Sequence, residues 1–351
     1  MATRNTAAVL TGPYKEPYTI REQLAGDPGL NEALIQIEFA GICHGDVYSR
    51  DGGGPAPATP VRPIVGGHEG IGKIMKLGVR TGNSNFSVGD TVGIAWRAAT
   101  CHACDACLAA AENRCRKQEV TGLHRNGTFQ TYVTFPVDNL IPIPSNVDRT
   151  AACPILCAGV TSYTALAAMA PSPGKWCVIV GAAGGLGHLA IQFAKNCFGL
   201  KVLAIDGGNP AKERFCREMG CDEYVDFNLA GSSLAQRVCE LTHGGADYVL
   251  VLAPSQAAYN AAGDYARFRA QIMAVGVGAC SMPLRPLLQK DLTVRASETG
   301  TREDILKALN CLAEGKVSPC VEMVDFHSLD RAIDRVTQGD VQGRLVMEMA
   351  T

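Results

Sequence analysis

Residues 176–195 read WCVIVGAAGGLGHLAIQFAK. An apolar run gives way to a glycine turn and then to a helix-like stretch. Gly181, Gly184, Gly185 and Gly187 permit a tight turn and close backbone approach, so that a pyrophosphate can sit at the amino end of the helix. The spacing G-x-x-G-G-x-G is one residue longer than the strict dinucleotide fingerprint. The next apolar run, KVLAID, ends in Asp206, about 20 residues past the turn, where a carboxylate accepts hydrogen bonds from a ribose 2′-hydroxyl. The same charge repels a 2′-phosphate, which selects NAD over NADP. A glycine-rich turn followed by a surface aspartate is the plainer reading; the strand–turn–helix context favours the dinucleotide one.

Beyond this stretch the rhythm of apolar run and helix-like segment continues through EYVDF, ADYVLVL, AQIMAVGV and LTVRAS. With WCVIVG and KVLAID these make six strands of a doubly wound parallel sheet. Upstream, residues 1 to about 150 have a different texture, rich in Gly and Pro, with short β-type runs ALIQIEFAG, GIGKIM, DTVGIAW and FQTYVTF. That pattern predicts an irregular β-rich domain. After Ser297 come two helical patterns, REDILKALNCLAEGK and SLDRAIDRVTQG, and a closing strand, GRLVMEM.

The totals agree with two α/β-type cores. The chain has 351 residues, 47% apolar and 19% charged, enough to bury substantial interiors. A net charge of −2 without a basic run argues against a nucleic-acid partner. The opening MATRNTAAVLTGPYKEPY lacks the apolar core of a signal peptide. The uncharged windows 151–174 and 176–194 approach membrane-span length but are broken by Gly, Pro and polar residues, so a soluble, cytoplasmic protein is expected.

Fifteen cysteines without a secretory signal point to reduced thiols, some on metal. Residues 100–116 read TCHACDACLAAAENRCR, with Cys101, Cys104, Cys107 and Cys115 in the spacing C-x2-C-x2-C-x7-C. Two-residue gaps let successive thiolates converge, and four sulfurs close a tetrahedral zinc site with no position open to substrate. An iron–sulfur cluster also uses four thiolates, but structural zinc is the expectation. Cys153, Cys177, Cys197, Cys216, Cys221, Cys239, Cys280, Cys311 and Cys320 lack ligand spacing and are expected to fill the core.

Three further features are individually weak: Cys43 in AGICHGD, His68 and Glu69 in VGGHEG, and Cys157 in PILCAG. With CH-x-D, GD-x-VGI-x-W ending in Trp96, GTFQTY, CPILCAG, GAAGGLG, IDGG and VQGR, they resemble the zinc-dependent alcohol dehydrogenases of the medium-chain dehydrogenase/reductase superfamily, the yeast-type ethanol dehydrogenases above all. The resemblance implies a GroES-like catalytic domain over 1–157 and 298–351, and a Rossmann NAD-binding domain over 158–297. It implies two zinc ions per subunit: the structural one, and a catalytic one on Cys43, His68 and Cys157, with Glu69 as alternate ligand. Two thiolates and an imidazole leave a fourth position for water or a substrate oxygen, and Asp46 would orient the imidazole. His44 and Arg344 would meet the pyrophosphate of NAD(H). Gly184, Gly185, Leu186, Asp206, Lys212 and Phe227 would surround its adenosine half, and Val275, Val277, Ser297 and Thr299 its nicotinamide half. A homodimer or homotetramer joined through the nucleotide-domain sheets is also implied.

The match breaks at the proton relay. The family carries a Ser or Thr hydroxyl after CH and a His three residues later; here Gly45 and Tyr48 stand there. Tyr48, with an unperturbed pKa near 10, is a poor base at neutral pH. An aromatic expected near position 54 is also missing, replaced by RDGGGPAPATP. Lost bulk at both places predicts a larger pocket and a substrate bulkier than ethanol, an alcohol paired with its aldehyde or ketone. Tyr48, or water admitted by Gly45, would carry the proton, and Gly45→Thr with Tyr48→His would restore the relay. The alternatives are conjugate reduction of an enal or iminium, which needs no proton at the oxygen in the same step, a redox-neutral zinc lyase or isomerase retaining the cofactor, and a non-catalytic scaffold.

Overall fold

The computed structural model describes residues 3–54, 59–79, 85–278 and 281–349. The chain divides into two compact units, one of Met1–Cys157, Thr301–Ala313 and Val321–Thr351, the other of Ala158–Gly300 and Glu314–Cys320.

In the first unit the strand Glu32–Ile42 is the organising element. Its apolar positions Ile35, Ile37 and Ile42 are fully buried beside Ile74, Ile94, Phe129 and Phe135. It pairs antiparallel with three strands, Glu69–Leu77, Tyr132–Pro136 and Arg344–Glu348. The sheet extends outward through Thr91–Ile94 and Ile141–Pro142 on one side and Val321–Val324 on the other. Register sets function here: Gly41 faces Glu69, and Ile42 faces Leu345 next to Arg344. The ends of three strands therefore meet where the chain turns into the helix His44–Asp51. That helix packs along Leu329–Gln338, where Arg50 donates to Asp334 at 2.7 Å.

The second unit is a six-stranded parallel sheet. Its spatial order is Glu223–Asp226, Lys201–Asp206, Trp176–Val180, Ala246–Val251, Ala266–Ala274, Thr293–Ala296. Numbered along the unit this is 3-2-1-4-5-6, the doubly wound Rossmann order. All six apolar runs read from the sequence are strands. The central strand buries Cys177, Val178 and Ile179 completely, as helices on both sheet faces require. Gly181 takes φ +83°, and a Cβ on Gly187 would fall 2.3 Å from the Gly181 carbonyl oxygen. No side chain fits at either position.

Residues 314–320 belong to the second unit rather than, as the sequence reading had it, the first. The Gln192 amide holds Ser318 in both directions, at 3.1 and 2.7 Å, and Asn196 donates to the Lys316 carbonyl at 2.7 Å. Such pairings between distant segments leave no periodic trace in a sequence.

The helical stretch Arg149–Ala167 has the length and apolarity of a membrane span, and 67% of its window is buried inside the fold. Pro154 sits within it and has no N–H to continue the regular ladder; residues Ile155–Gly159 widen into a π-turn that carries Cys157. Of the scattered cysteines, Cys153, Cys177, Cys216, Cys221 and Cys311 are buried as expected, and Cys197 and Cys239 are half-buried. Cys320 is exposed, contrary to its reading as core; its N–H donates to Nε2 of His188 at 3.3 Å, on the same loop whose Ser318 N–H donates to Gln192. Cys280 lies outside the described residues.

Candidate active site

Cys43 caps the helix His44–Asp51. One oxygen of Asp46 accepts from the Cys43 N–H at 2.8 Å, and the other lies 3.1 Å from Nδ1 of His68. A buried carboxylate in that position fixes a proton on Nδ1 and, against burial and with Cys43, raises the imidazole pKa well above its ordinary value, so a cation binding at Nε2 displaces a proton there. Nε2 is buried and has no hydrogen-bond partner. The Sγ atoms of Cys43 and Cys157 lie 3.8 Å apart. Two Zn–S bonds of about 2.3 Å at the tetrahedral angle span about 3.8 Å. Ligand atoms of Cys43, His68, Glu69 and Cys157 all fall within 4.8 Å of one another. An orphaned imidazole nitrogen facing two thiols at that spacing fits a soft, tetrahedral divalent cation.

The electrostatics are those of a site prepared for positive charge. The Cys43 thiol is pulled well down by the hydrogen bond from Cys157 and by Arg344 and His68. Cys157 is pushed up, by that same hydrogen bond and by burial. Burial raises the Glu69 carboxyl to about 7, against the pull of Arg344. Glu69 lies over the bare Cα of Gly41, where a Cβ would come 2.3 Å from its Oε2. Its Oε1 accepts from Arg344, which is buried in the first unit and charged. The resemblance assigned Arg344 to a pyrophosphate; here one of its Nη atoms is committed to Glu69, and its Nε has no partner. His44 is half-buried, its ring 5.0 Å from that of Tyr48.

Trp96 follows closely on the strand Thr91–Ile94. Its ring stands at 90° to the His68 imidazole, centroids 4.8 Å apart. A Cβ on Gly45 would lie 2.9 Å from His68 Cε1 and 3.1 Å from Trp96 Cζ3. At Gly54, where φ is +61°, a Cβ would lie 2.7 Å from the Tyr48 ring. Trp96, His68 and Tyr48 thus border the two glycines on which the expectation of a bulkier substrate rests. The sequence could not show this, because the three rings reach the two glycines from different segments. Burial and the nearby Cys43 raise the Tyr48 pKa, so at neutral pH it is a neutral phenol and no base. Part of the run read as replacing an aromatic, residues 55–58, lies outside the described residues.

The four-cysteine lobe closes as its spacing requires: Cys101, Cys104, Cys107 and Cys115 bring their sulfurs within 4.8 Å of one another. Backbone N–H groups of Ala103 and Cys104 point at the Cys101 sulfur and hold its thiol down at about 6. Burial of the sulfur raises Cys107 to about 12, so that a cation must displace its proton. His102, inside the run, is exposed.

In the second unit Asp206 ends its strand against the glycine turn. Oδ2 accepts from the Ala183 N–H at 2.9 Å, and Oδ1 from Gly207 N–H at 2.8 Å and Lys212 Nζ at 3.0 Å. The carboxylate therefore braces the turn as well as marking the strand end. Gly184, Gly185 and Leu186 are half-buried on that turn, Phe227 is exposed, and a Cβ on Gly184 would meet only the Gly181 oxygen at 3.5 Å. Along the far half of the same sheet Val275 and Ser297 are half-buried, Val277 exposed and Thr299 buried.

Residues 29–145 match the alcohol dehydrogenase GroES-like domain, and residues 185–314 match the zinc-binding dehydrogenase domain. The alcohol dehydrogenase of Schizosaccharomyces pombe is 33% identical over 338 residues, 95% of each chain. The protein belongs to the zinc-dependent alcohol dehydrogenases of the medium-chain superfamily. A Geobacillus stearothermophilus alcohol dehydrogenase is 34% identical over 97% of this dehydrogenase and 99% of its own length. Among solved structures, an NAD-dependent alcohol dehydrogenase superposes with TM-score 0.89 at 25% identity, covering 98% of this chain and 100% of that one. The enzyme from Aeropyrum pernix superposes with TM-score 0.85 at 27% identity, covering 98% and 99%. The chain is accordingly an oxidoreductase.

Proposed function

We propose that the protein interconverts an alcohol and its aldehyde or ketone with NAD(H), using zinc held by Cys43, His68 and Cys157. The observation that carries this is the buried, partnerless Nε2 of His68 facing two thiols 3.8 Å apart, with Nδ1 anchored on Asp46. When bound, zinc supplies a Lewis acid for the substrate oxygen, and NAD(H) supplies or takes the hydride. Cys43 and Cys157 offset the cation's charge, Asp46 aims the imidazole, and Glu69, held by Arg344, stands ready as a fourth donor. Cys101, Cys104, Cys107 and Cys115 hold a second zinc whose role is structural. Asp206 favours NAD over NADP through the charge it keeps at the strand end, with Gly184, Gly185, Leu186, Lys212 and Phe227 beside it; Val275, Val277, Ser297 and Thr299 serve the nicotinamide half, with His44 and Arg344 toward the pyrophosphate. The division into a catalytic and a nucleotide domain follows the two compact units. A cytoplasmic homodimer or homotetramer fits the family.

Tyr48, as a neutral phenol, can donate a proton or hydrogen bond but not withdraw one, which suits reduction of a carbonyl better than oxidation of an alcohol. A second reading has one observation in its favour: position 45 offers no hydroxyl beside the His68 ring, which a Cβ there would meet at 2.9 Å. Reduction of an enal or iminium, with hydride going to carbon, dispenses with that hydroxyl. A panel of ketones, aldehydes and enals with NADH separates the two by which bond is saturated. Two zinc ions per chain and NADH turnover with a carbonyl are the expected results. Turnover without any change in nicotinamide absorbance would instead indicate redox-neutral chemistry.

A further inference from the structure

We infer that His188, Gln192 and Asn196 form a polar ladder that grips residues 316–320 and, through His188, sets the position of the glycine turn. They are then positioning residues for the coenzyme. The inference rests on the reading of that turn as the seat of a dinucleotide. Residues 314–320 belong to the second unit, although the chain on both sides, the helix Arg302–Ala313 and the strand Val321–Val324, belongs to the first. Side chains spaced four apart, on the helix Gly187–Gln192 and its continuation Phe193–Cys197, hold this excursion. Nε2 of His188 accepts from the Cys320 N–H at 3.3 Å. The Gln192 amide donates to the Ser318 carbonyl at 3.1 Å and accepts from the Ser318 N–H at 2.7 Å. Asn196 donates to the Lys316 carbonyl at 2.7 Å.

The two spacings keep step. Four residues of helix rise about 6 Å, and two residues of extended chain span about 6.6 Å. Burial along the segment has the extended period: Val317 and Pro319 are buried, whereas Lys316, Ser318 and Cys320 are exposed. One rung reaches further. Nδ1 of His188 lies 3.2 Å from the Gly184 carbonyl. That carbonyl can only accept and the Cys320 N–H can only donate, so the ring carries its proton on Nδ1 and a lone pair on Nε2. A fully buried imidazole thus ties the glycine turn to residue 320, with a donor at one end and an acceptor at the other. Two other side chains brace the same turn. Asp206 accepts from the Ala183 N–H at 2.9 Å, and the Ser162 hydroxyl donates to the Leu186 carbonyl at 3.0 Å. Through His188 the turn also answers to a segment more than a hundred residues away in the chain.

The test follows NADH binding to the zinc-loaded, full-length protein by fluorescence titration, and amide hydrogen exchange at residues 182–186 of the coenzyme-free protein. His188→Leu removes both ends of the bridge. It should weaken NADH binding about 10-fold, the scale of one buried hydrogen bond, and speed exchange at the turn. His188→Asn keeps a donor for Gly184 but loses Cys320, and should bind NADH no better than His188→Leu. Gln192→Leu touches the segment and not the turn, yet should weaken NADH binding about 3-fold, and Asn196→Ala, at the exposed rung, should weaken it least. With a ketone or aldehyde that the wild type reduces, KM for NADH should rise in step while kcat holds, because no group at the reacting atoms is altered. Should His188→Leu not fold, His188→Asn and Gln192→Leu carry the comparison. Wild-type NADH affinity in the His188 and Gln192 variants, whatever their stability, would overturn the positioning role. Wild-type affinity in His188→Asn alone would reduce His188 to a local brace of the turn and overturn the ladder. A wild-type protein that binds no NADH would instead remove the dinucleotide reading beneath it, and the positioning role with it.

Discussion

The two thiol-bearing centres of the first unit are built in opposite ways. The four-cysteine lobe draws its sulfurs from a single stretch, residues 101–115, and three of them are only partly buried. Backbone N–H groups of the same loop stabilise its thiolates. The Cys43–His68–Cys157 centre draws on three distant segments, buries Cys43 and His68, and relies on charged side chains, Asp46, Glu69 and Arg344, that are themselves buried. A local centre needs spacing; a distributed one needs a sheet register. The first should therefore depend on its metal to keep its shape, and the second on the fold to keep its metal.

The sharpest break between the two comes from removing one ligand of each. Cys43→Ser or His68→Ala should abolish NADH-linked turnover, by a factor of about 1,000 or more if a full Lewis-acid contribution of several kcal/mol is lost. The far-ultraviolet circular dichroism and the other zinc should stay unchanged. Cys104→Ser should do the reverse, releasing the lobe's zinc and lowering thermal stability outright. If both variants simply lost activity with equal stability, the division into a shaping and a reacting centre would be wrong.

Next in size is the support beneath each centre. Glu69 and Arg344 form an ion pair with both partners buried. Glu69→Gln keeps an acceptor for the guanidinium but has no proton to release, so it should match the wild type at pH 5 and be the more stable of the two at pH 7.5. The pH dependence follows from the same group. In the folded protein Glu69 holds its proton up to about pH 7, whereas the ordinary value is 4.5. Between those limits the folded state binds a proton that the unfolded chain has released, so stability falls as pH rises through the window. Urea melts of the metal-free protein at pH 5 and pH 7.5 should show this fall, and Glu69→Gln should flatten it.

How much of this was legible follows the same division. The parallel sheet and its glycine turn could be read because each strand, turn and helix is continuous in the chain and its period is local. The four-cysteine spacing was legible for the same reason. The distributed centre was not readable from Cys43, His68 or Cys157 singly; only their resemblance to a family joined them. The strand register that brings Gly41 opposite Glu69, and Ile42 beside Arg344, is what brings that centre together. Position 45 was read as a missing hydroxyl and freed volume, and the His68 and Trp96 rings that border it come from other segments. A vacancy in a sequence says nothing of which distant side chain fills it.

The smallest effect sharpens the contrast most cleanly, because it compares like with like. The lobe has its own ion pair, Arg116 to Asp105 at 2.6 Å. Both side chains are exposed, at 76% and 69%. Water already solvates each charge, salt screens their attraction, and two long side chains must be held still to keep the contact. Arg116→Ala should leave the melting temperature within the error of the measurement and zinc release from the lobe unchanged, even though the contact is short. A measurable loss would mean that the pair helps to hold the loop closed around its sulfurs. The lobe would then depend on side-chain charge, as the buried centre does, rather than on backbone N–H groups and metal alone.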